Sequence, residues 1–501
     1  MARKKFSFTD YAWLRMDEPD NLMIITGLMT FDKPLDYERL RGLVENSLLR
    51  FRRFRQRIAP PRPPFMRPSW EDDPNFNLDN HLVRVQLAEP ADQGALQDFI
   101  SKLMSTPLEY NRPLWKFYLV ENYGPGGAFV SRLHHSIADG VALMQVLLSM
   151  AEAEGNPPAE SATQAAGQTG AAATNGPVKT RHSDVLSSSK LSAEELWEEG
   201  IKILTDPSHA RQRTRQAMEV IAAVGKLALR WPDPKTVFKG PLGVEKRAAW
   251  SEPLALAAVK SVGKAFNSTV NDVLLSAVAG ALGRYIQARG GEAAGLSIRG
   301  FIPVNLRPIE LDEELGNKFG LVFLSLPIGI TDPVERLHRV RRNMNELKSS
   351  AEPIAAFGVI NLMGAVPPWL EQIVVDFFDT KGTSVMTNVP GTQTQFSLAG
   401  SPINTVMAWV PQTGRIALGV SIISYNGKVW LGIATDKGLV PDPEAIIGFF
   451  QAEFEALSLR AQSAPEERRK ELKELLAMLE EANQTLDAIL EESRGDQADL
   501  S

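Results

Sequence analysis

Phe129-Val130-Ser131-Arg132-Leu133-His134-His135-Ser136-Ile137-Ala138-Asp139-Gly140-Val141 sets two adjacent histidines four residues ahead of an Asp-Gly pair. The whole chain of 501 residues holds only six histidines, so this pairing stands out from composition. Ala128 to Leu133 reads as a short strand, and Val141 to Met150 (VALMQVLLSM) as a buried helix. The histidines therefore fall where a strand gives way to a helix, a common place for chemistry in α/β folds. A neutral imidazole titrates near pH 6.5, so it can take a proton from a hydroxyl near neutrality and return it. Asp139 suits an ion pair that fixes the loop, and Gly140 a tight turn into the helix. A polar turn without catalytic role is the plainer alternative. Neighbouring side chains at a strand end point opposite ways, which favours the general-base reading over that turn.

Composition narrows the classes. Hydrophobic residues make up 44% and charged residues 23%, as in ordinary water-soluble proteins, and the length suits two substantial domains. There is no cysteine, which excludes disulfides, zinc-thiolate sites and a cysteine nucleophile and suits a cytoplasmic setting. His81, His182, His209 and His338 lack metal-ligand spacing, so no metal is expected. The formal charge of −6 argues against nucleic acid as a partner. The opening MARKKFSFTDYAWL lacks the apolar core of a signal peptide, and no run of about 18 apolar residues suggests a membrane span. No G-x-G-x-x-G, P-loop or G-x-S-x-G pattern occurs.

The pattern along the chain predicts a mixed α/β sheet protein. Strands are expected at 22–31, 116–122 and 128–133, with helices at 35–50 and 94–105. Seven arginines and no acid lie between Asn46 and Trp70. CoA phosphates or anionic lipid would suit them, although a solvated face or pairs with distant carboxylates is the commoner outcome. From Ala151 to Lys190 the chain is poor in large apolar residues and reads as a disordered linker. Helical patterns resume at 193–205 and 208–230. Arg211–Arg247 carries nine Lys/Arg against three Asp/Glu, a segment for membrane-surface contact or for packing on its own domain. Helices follow at 254–266 and 270–289, the second with Asn271 and Asp272 entering a core as capping or site residues. Further strands are expected at 297–307, 319–330, 383–391, 403–411, 415–425 and 428–436, with an Asn-Gly hairpin at 426–427 and helices at 332–348 and 442–459. This implies subdomains at 1–150 and 191–460, separated by the 151–190 linker. A tail, 461–501, has leucines at heptad spacing that suit docking or a homodimer.

His-His-x-x-x-Asp-Gly resembles the signature of the CoA-dependent acyltransferase fold. Pro113-Leu114-Trp115, Thr269-Val270-Asn271-Asp272-Val273, Pro303-Val304-Asn305-Leu306-Arg307, Gly316-Asn317-Lys318-Phe319-Gly320, Thr387-Asn388-Val389-Pro390-Gly391 and Ser424-Tyr425-Asn426-Gly427 narrow it. In this order they resemble the bacterial wax ester synthase/diacylglycerol acyltransferase family, over about residues 6 to 460. The resemblance implies an α/β fold of two sandwich subdomains with mixed sheets and a tunnel between them. It implies His135 as the base that deprotonates a lipid alcohol or diacylglycerol for attack on acyl-CoA, with His134, Asp139 and Gly140 completing the motif. Asp139 would pair with Arg307, Asn271 would hold the base or the oxyanion, and Trp115, Thr387 and Asn388 would meet substrate. No cofactor beyond the acyl-CoA substrate is implied, and the place of action would be the cytoplasm, at a membrane or lipid-droplet surface. Thr392 departs from the pattern, since a proline often follows the glycine there.

Overall fold

The run Ala128–His134 forms a strand buried at every position. It lies third in a seven-stranded sheet ordered Leu82–Val85, Trp115–Val120, Ala128–His134, Ile24–Phe31, Ser401–Trp409, Phe396–Leu398 and Glu152–Ala153. A strand with neighbours on both edges and both faces buried favours apolar side chains, which Phe129, Val130 and Leu133 supply, while Ser131, Arg132 and His134 are its buried polar members. A computed structural model describes residues 4–61, 66–138, 149–153, 229–305, 319–348, 368–412 and 414–463. It also describes isolated positions 143, 146, 147, 225, 356, 359, 360, 363 and 478.

A second seven-stranded sheet runs in the order Leu254–Ala255, Lys428–Asp436, Leu418–Tyr425, Ser384–Pro390, Ile298–Asn305 and Phe319–Leu326, with Lys246–Trp250 also paired to Lys428–Asp436. Ser384–Pro390 is parallel to both of its neighbours and the remaining pairs are antiparallel, so the sheet is mixed as expected. The hairpin at Asn426-Gly427 has φ of 46° and 73°, left-handed values that Asn and Gly tolerate. Beneath this sheet lies the helix Val270–Ala288. It opens on a capping box in which Thr269 Oγ1 accepts the Asp272 N–H at 3.2 Å and Asp272 Oδ2 accepts the Thr269 N–H at 2.8 Å.

Each sheet has its own apolar core, one holding Leu133, Ile137 and Met407, the other Val273, Leu324 and Leu431. The two halves nevertheless share backbone. Ser401–Trp409 comes from late in the chain yet pairs with Ile24–Phe31, with Ile403 opposite Phe31 and Trp409 opposite Thr26. Conversely, the helix Gln93–Met104 covers the edge of Lys246–Trp250: Ser101 Oγ and Ser105 Oγ accept the N–H groups of Ala248 and Lys246 at 3.0 and 2.8 Å. No helix among the described residues is long and apolar enough to cross a membrane.

The expected linker begins one strand too early, because Glu152 and Ala153 pair with Ser397 and Phe396. The rest of that linker, the helices expected at 193–205 and through most of 208–230, and the heptad segment 466–492 (Met478 apart) lie outside the described residues. The helix expected over 35–50 is shorter: Tyr37–Leu43 is followed by a π-helical turn, Val44–Leu48. Arg52, Arg53 and Arg57 from the arginine-rich stretch pair with Asp72, Asp10 and Glu71.

Candidate active site

The two histidines are separated by the strand's own geometry. The His134 N–H donates to Leu114 O at 3.0 Å on one side, and the His135 N–H donates to Met23 O at 2.7 Å on the other. Ile137 N–H then bonds back to His134 O, ending the strand in a turn. His134 is fully enclosed, while His135 keeps 6% exposure.

His134 Nδ1 accepts the backbone N–H of Ser136 at 3.1 Å and lies 2.8 Å from Ser136 Oγ. A nitrogen that accepts an N–H has its lone pair committed, so we assign the proton of the neutral ring to Nε2. That atom faces Asp17 Oδ1 at 3.6 Å. The same Asp17 oxygen accepts the N–H of Met23, whose carbonyl holds His135. Asp17 thus holds His135 through the Met23 backbone and lies 3.6 Å from the His134 ring. Below the turn, an Arg53 N–H donates to Ser136 O at 3.5 Å while its guanidinium stacks on Trp70 and pairs with buried Asp10.

The helix Phe8–Arg15, started by Ser7 accepting the Asp10 N–H, lays Trp13 flat on the His135 ring. The centroids are 4.2 Å apart and the planes inclined by 22°. Trp13 also lines an apolar cavity that opens to solvent. Phe301, Leu321 and Phe323 of the second sheet form another wall, and Val375, Phe378 and Asp379 of the helix Pro368–Asp379 a third. Arg15, two residues beyond Trp13, pairs with Glu371 at 2.5 Å. Burial pushes the Glu371 carboxyl up to about 7 against the opposing pull of Arg15, and burial likewise pushes Asp379 up to about 7.

Of the residues expected from sequence, Asn271 and Asn388 meet, the amide of Asn388 donating to Asn271 Oδ1. They come from the second position of the helix Val270–Ala288 and the fifth position of the strand Ser384–Pro390. Asp272, by contrast, is the helix cap. Next to Asn388, Val389 packs on the core that contains the histidine strand. Thr387 is buried in the same strand as Asn388. Trp115 has a packing position: it is 1% exposed, stacks on His81 at 4.5 Å, and donates its indole N–H to Phe54 O at 2.8 Å. Thr392 replaces the expected proline with its own acceptor, since its hydroxyl takes the N–H of Thr394 at 3.0 Å. Asp139, Gly140 and Arg307 lie outside the described residues. Trp13, Asp17 and Ser136 were not singled out by sequence. The Ser7-x-x-Asp10 start signal ahead of Trp13 was the available clue.

The strand-end His135 thus lies under the Trp13 indole, and that indole, not the imidazole, lines the apolar cavity. Residues 6–274 match the wax ester synthase/diacylglycerol acyltransferase catalytic domain, and residues 315–458 match the C-terminal domain of the same enzymes. The chain belongs to the wax ester synthase/diacylglycerol acyltransferase family. It is 29% identical over 472 residues to a putative diacylglycerol O-acyltransferase of Mycobacterium tuberculosis, covering 88% of this chain and 89% of that one. A probable diacylglycerol O-acyltransferase of the same organism is 24% identical over 86% of this chain and 91% of its own. In fold the chain resembles the wax ester synthase/diacylglycerol acyltransferase of Marinobacter aquaeolei VT8, with TM-score 0.63, 19% identity, and 92% and 100% coverage. It also resembles the starter condensation domain of rhizomide synthetase, with TM-score 0.55, 14% identity, and 92% and 95% coverage. Both readings of the sequence, the mixed α/β fold and an acyltransferase activity, hold.

Proposed function

We propose that this acyltransferase moves the acyl group of a long-chain acyl-CoA onto the hydroxyl of a long-chain alcohol or a diacylglycerol, with His135 as general base. The observation that carries the reading is the Trp13 indole, which touches the His135 ring and the apolar cavity at once. The His135 imidazole takes the proton of the acceptor hydroxyl, and the alkoxide oxygen bonds to the thioester carbonyl carbon. The tetrahedral oxyanion collapses by breaking the C–S bond, and the imidazolium gives its proton to the departing thiolate. One ester and one CoA thiol result, without an acyl-enzyme. A hydrogen-bond donor aimed at the oxyanion contributes about 3 kcal/mol, and the paired amides of Asn271 and Asn388 are the residues we assign to positioning there. Asp139 is assigned to an ion pair with Arg307 that fixes the loop. The acceptors are apolar chains ending in a hydroxyl, so the protein is placed at a membrane or lipid-inclusion surface on the cytoplasmic side, with the tail as a self-association segment.

Labelled acyl-CoA offered separately with hexadecanol, a diacylglycerol and a sugar, with products separated by thin-layer chromatography, tests the reading. Ester formed with either of the first two supports it. Product with the sugar alone sinks it.

A further inference from the structure

The far wall of the apolar cavity is tied to the histidine by hydrogen bonds that the acyl-transfer steps leave unused. Asp379 ends the helix Pro368–Asp379 and is the only ionisable side chain among the described residues that line the cavity. Its Oδ2 accepts the Arg415 N–H at 2.6 Å. Gly414, with φ of 54°, lies against the same carboxyl so closely that a Cβ there would fall 1.7 Å from Oδ2. Only glycine fits such an approach at a left-handed φ. The Gly414 carbonyl in turn accepts the side-chain N–H of Asn21 at 2.7 Å. Asn21 is 3% exposed and closes a small loop, its N–H donating to Glu18 O at 2.9 Å and its carbonyl accepting the Glu18 N–H at 3.4 Å. Asp17, next to Glu18, accepts the Met23 N–H, and Met23 O accepts the His135 N–H at 2.7 Å.

Every link in this path is backbone or a short buried side chain, so it has little slack. Letting go of one bond would leave a buried polar group unpaired, so the loop at 17–23 follows the wall when the wall moves. Val375 and Phe378 of the same helix face the cavity, where an alkyl chain would press on them. Binding energy from a remote part of a substrate speeds a reaction when it is used to place the reacting groups. We propose that Asn21 is a positioning residue: through Gly414 and Asp379 it links the filling of the apolar cavity by a substrate's alkyl chain to the placement of His135. A long chain then raises turnover, and not affinity alone. The proposal rests on the reading of His135 as the base that acts beside this cavity.

Two measurements on the full chain test it. Single-turnover rates are compared for hexadecanoyl-CoA and butanoyl-CoA with one alcohol, and for hexadecanol and butanol with one acyl-CoA. In one of these series Asn21→Ala is expected to lose about tenfold more with the long chain than with the short one, so that the two rates converge. Asp379→Ala should do the same, and Asp379→Asn, whose amide oxygen still accepts the Arg415 N–H, should regain most of the loss. Hydrogen–deuterium exchange with the unreactive hexadecyl thioether of CoA gives the second readout. In the parent the thioether should slow exchange at 371–379 and also at 17–23 and 134–137. In Asn21→Ala it should still protect the helix but no longer the other two segments. Equal rate losses for long and short chains in both series overturn the proposal, as does protection that still spreads in the variant. So does a parent in which the thioether protects none of these segments. If Asn21→Ala does not fold, the two Asp379 variants decide by the same readings. Spreading protection in a parent that forms no ester would sink the acyl-transfer reading and leave the link between wall and histidine standing.

Discussion

Trp13 and His135 are stacked 4.2 Å apart, and the indole is at once the lid of the imidazole and part of the cavity wall. The pair joins an eight-residue helix near the start of the chain to the end of a central strand. His135→Ala is expected to slow single-turnover acyl transfer by about 10²–10⁴ with a small change in melting temperature. Trp13→Phe keeps a ring over the imidazole and should lose less than about tenfold in rate. Trp13→Ala opens a void that costs about 3–5 kcal/mol in stability. An active His135→Ala would move the chemistry elsewhere.

Asp17 holds Met23 and faces His134, so it acts on His135 through the backbone. Asp17→Ala should reduce kcat by about 10–100-fold with KM nearly unchanged, because the proposed base His135 is displaced while the cavity is not. Asp17→Asn still accepts the Met23 N–H and should recover much of that loss. Equal losses in both variants, accompanied by equal drops in melting temperature, would reduce Asp17 to a folding role.

Asn271 and Asn388 meet across a gap of 117 residues in sequence. A double-mutant cycle with Asn271→Ala and Asn388→Ala should show non-additive rate effects, with a coupling of about 1 kcal/mol. Strict additivity would mean that each amide works alone.

Glu371 and Asp379 have carboxyls raised by burial to about 7 from ordinary values of 4.5 and 3.8. Between those limits the folded protein keeps protons that the unfolded chain has released. Stability therefore falls as pH rises from about 4 to about 7, and the loss is complete above that range. Asp379→Asn should flatten the curve, raising the melting temperature near pH 8 and leaving it nearly unchanged near pH 4.5. Melting curves across this range decide it, and a variant that parallels the parent at every pH would contradict the burial argument.

The sequence spoke most clearly where local chemistry and tertiary position agree. The strand Lys428–Asp436 lies where its apolar run and the preceding Asn-Gly turn place it. The capping role open to Asp272 belongs to it through Thr269, while its neighbour Asn271 bonds to Asn388. Two helices escaped notice. Phe8–Arg15 is short and weakly amphipathic, and Pro368–Asp379 begins at a Pro-Pro pair that reads first as a break, although proline suits a first helical position. Both wall the cavity. Trp115 was placed with the substrate by resemblance to a motif, yet its ring packs on His81 under the histidine strand. The pairing of Ile403 with Phe31 has no local signature at all, because register between strands so distant is set by the assembled core.

That pairing has a consequence for how the protein is made. The strand Ile24–Phe31 leaves the ribosome early, but its partner Ser401–Trp409 follows only after some 370 further residues. At roughly 5–20 residues per second, one edge of the first sheet waits on the order of twenty to seventy seconds for its neighbour. During synthesis Phe31, Met29 and Leu28 present unpaired backbone in an apolar setting, a template for mispairing with other nascent chains. The first half is thus incomplete as a folding unit. Separate expression of the N-terminal half would yield an open-edged sheet, and the protein's yield in the cell depends on protection of that edge until the late strands arrive.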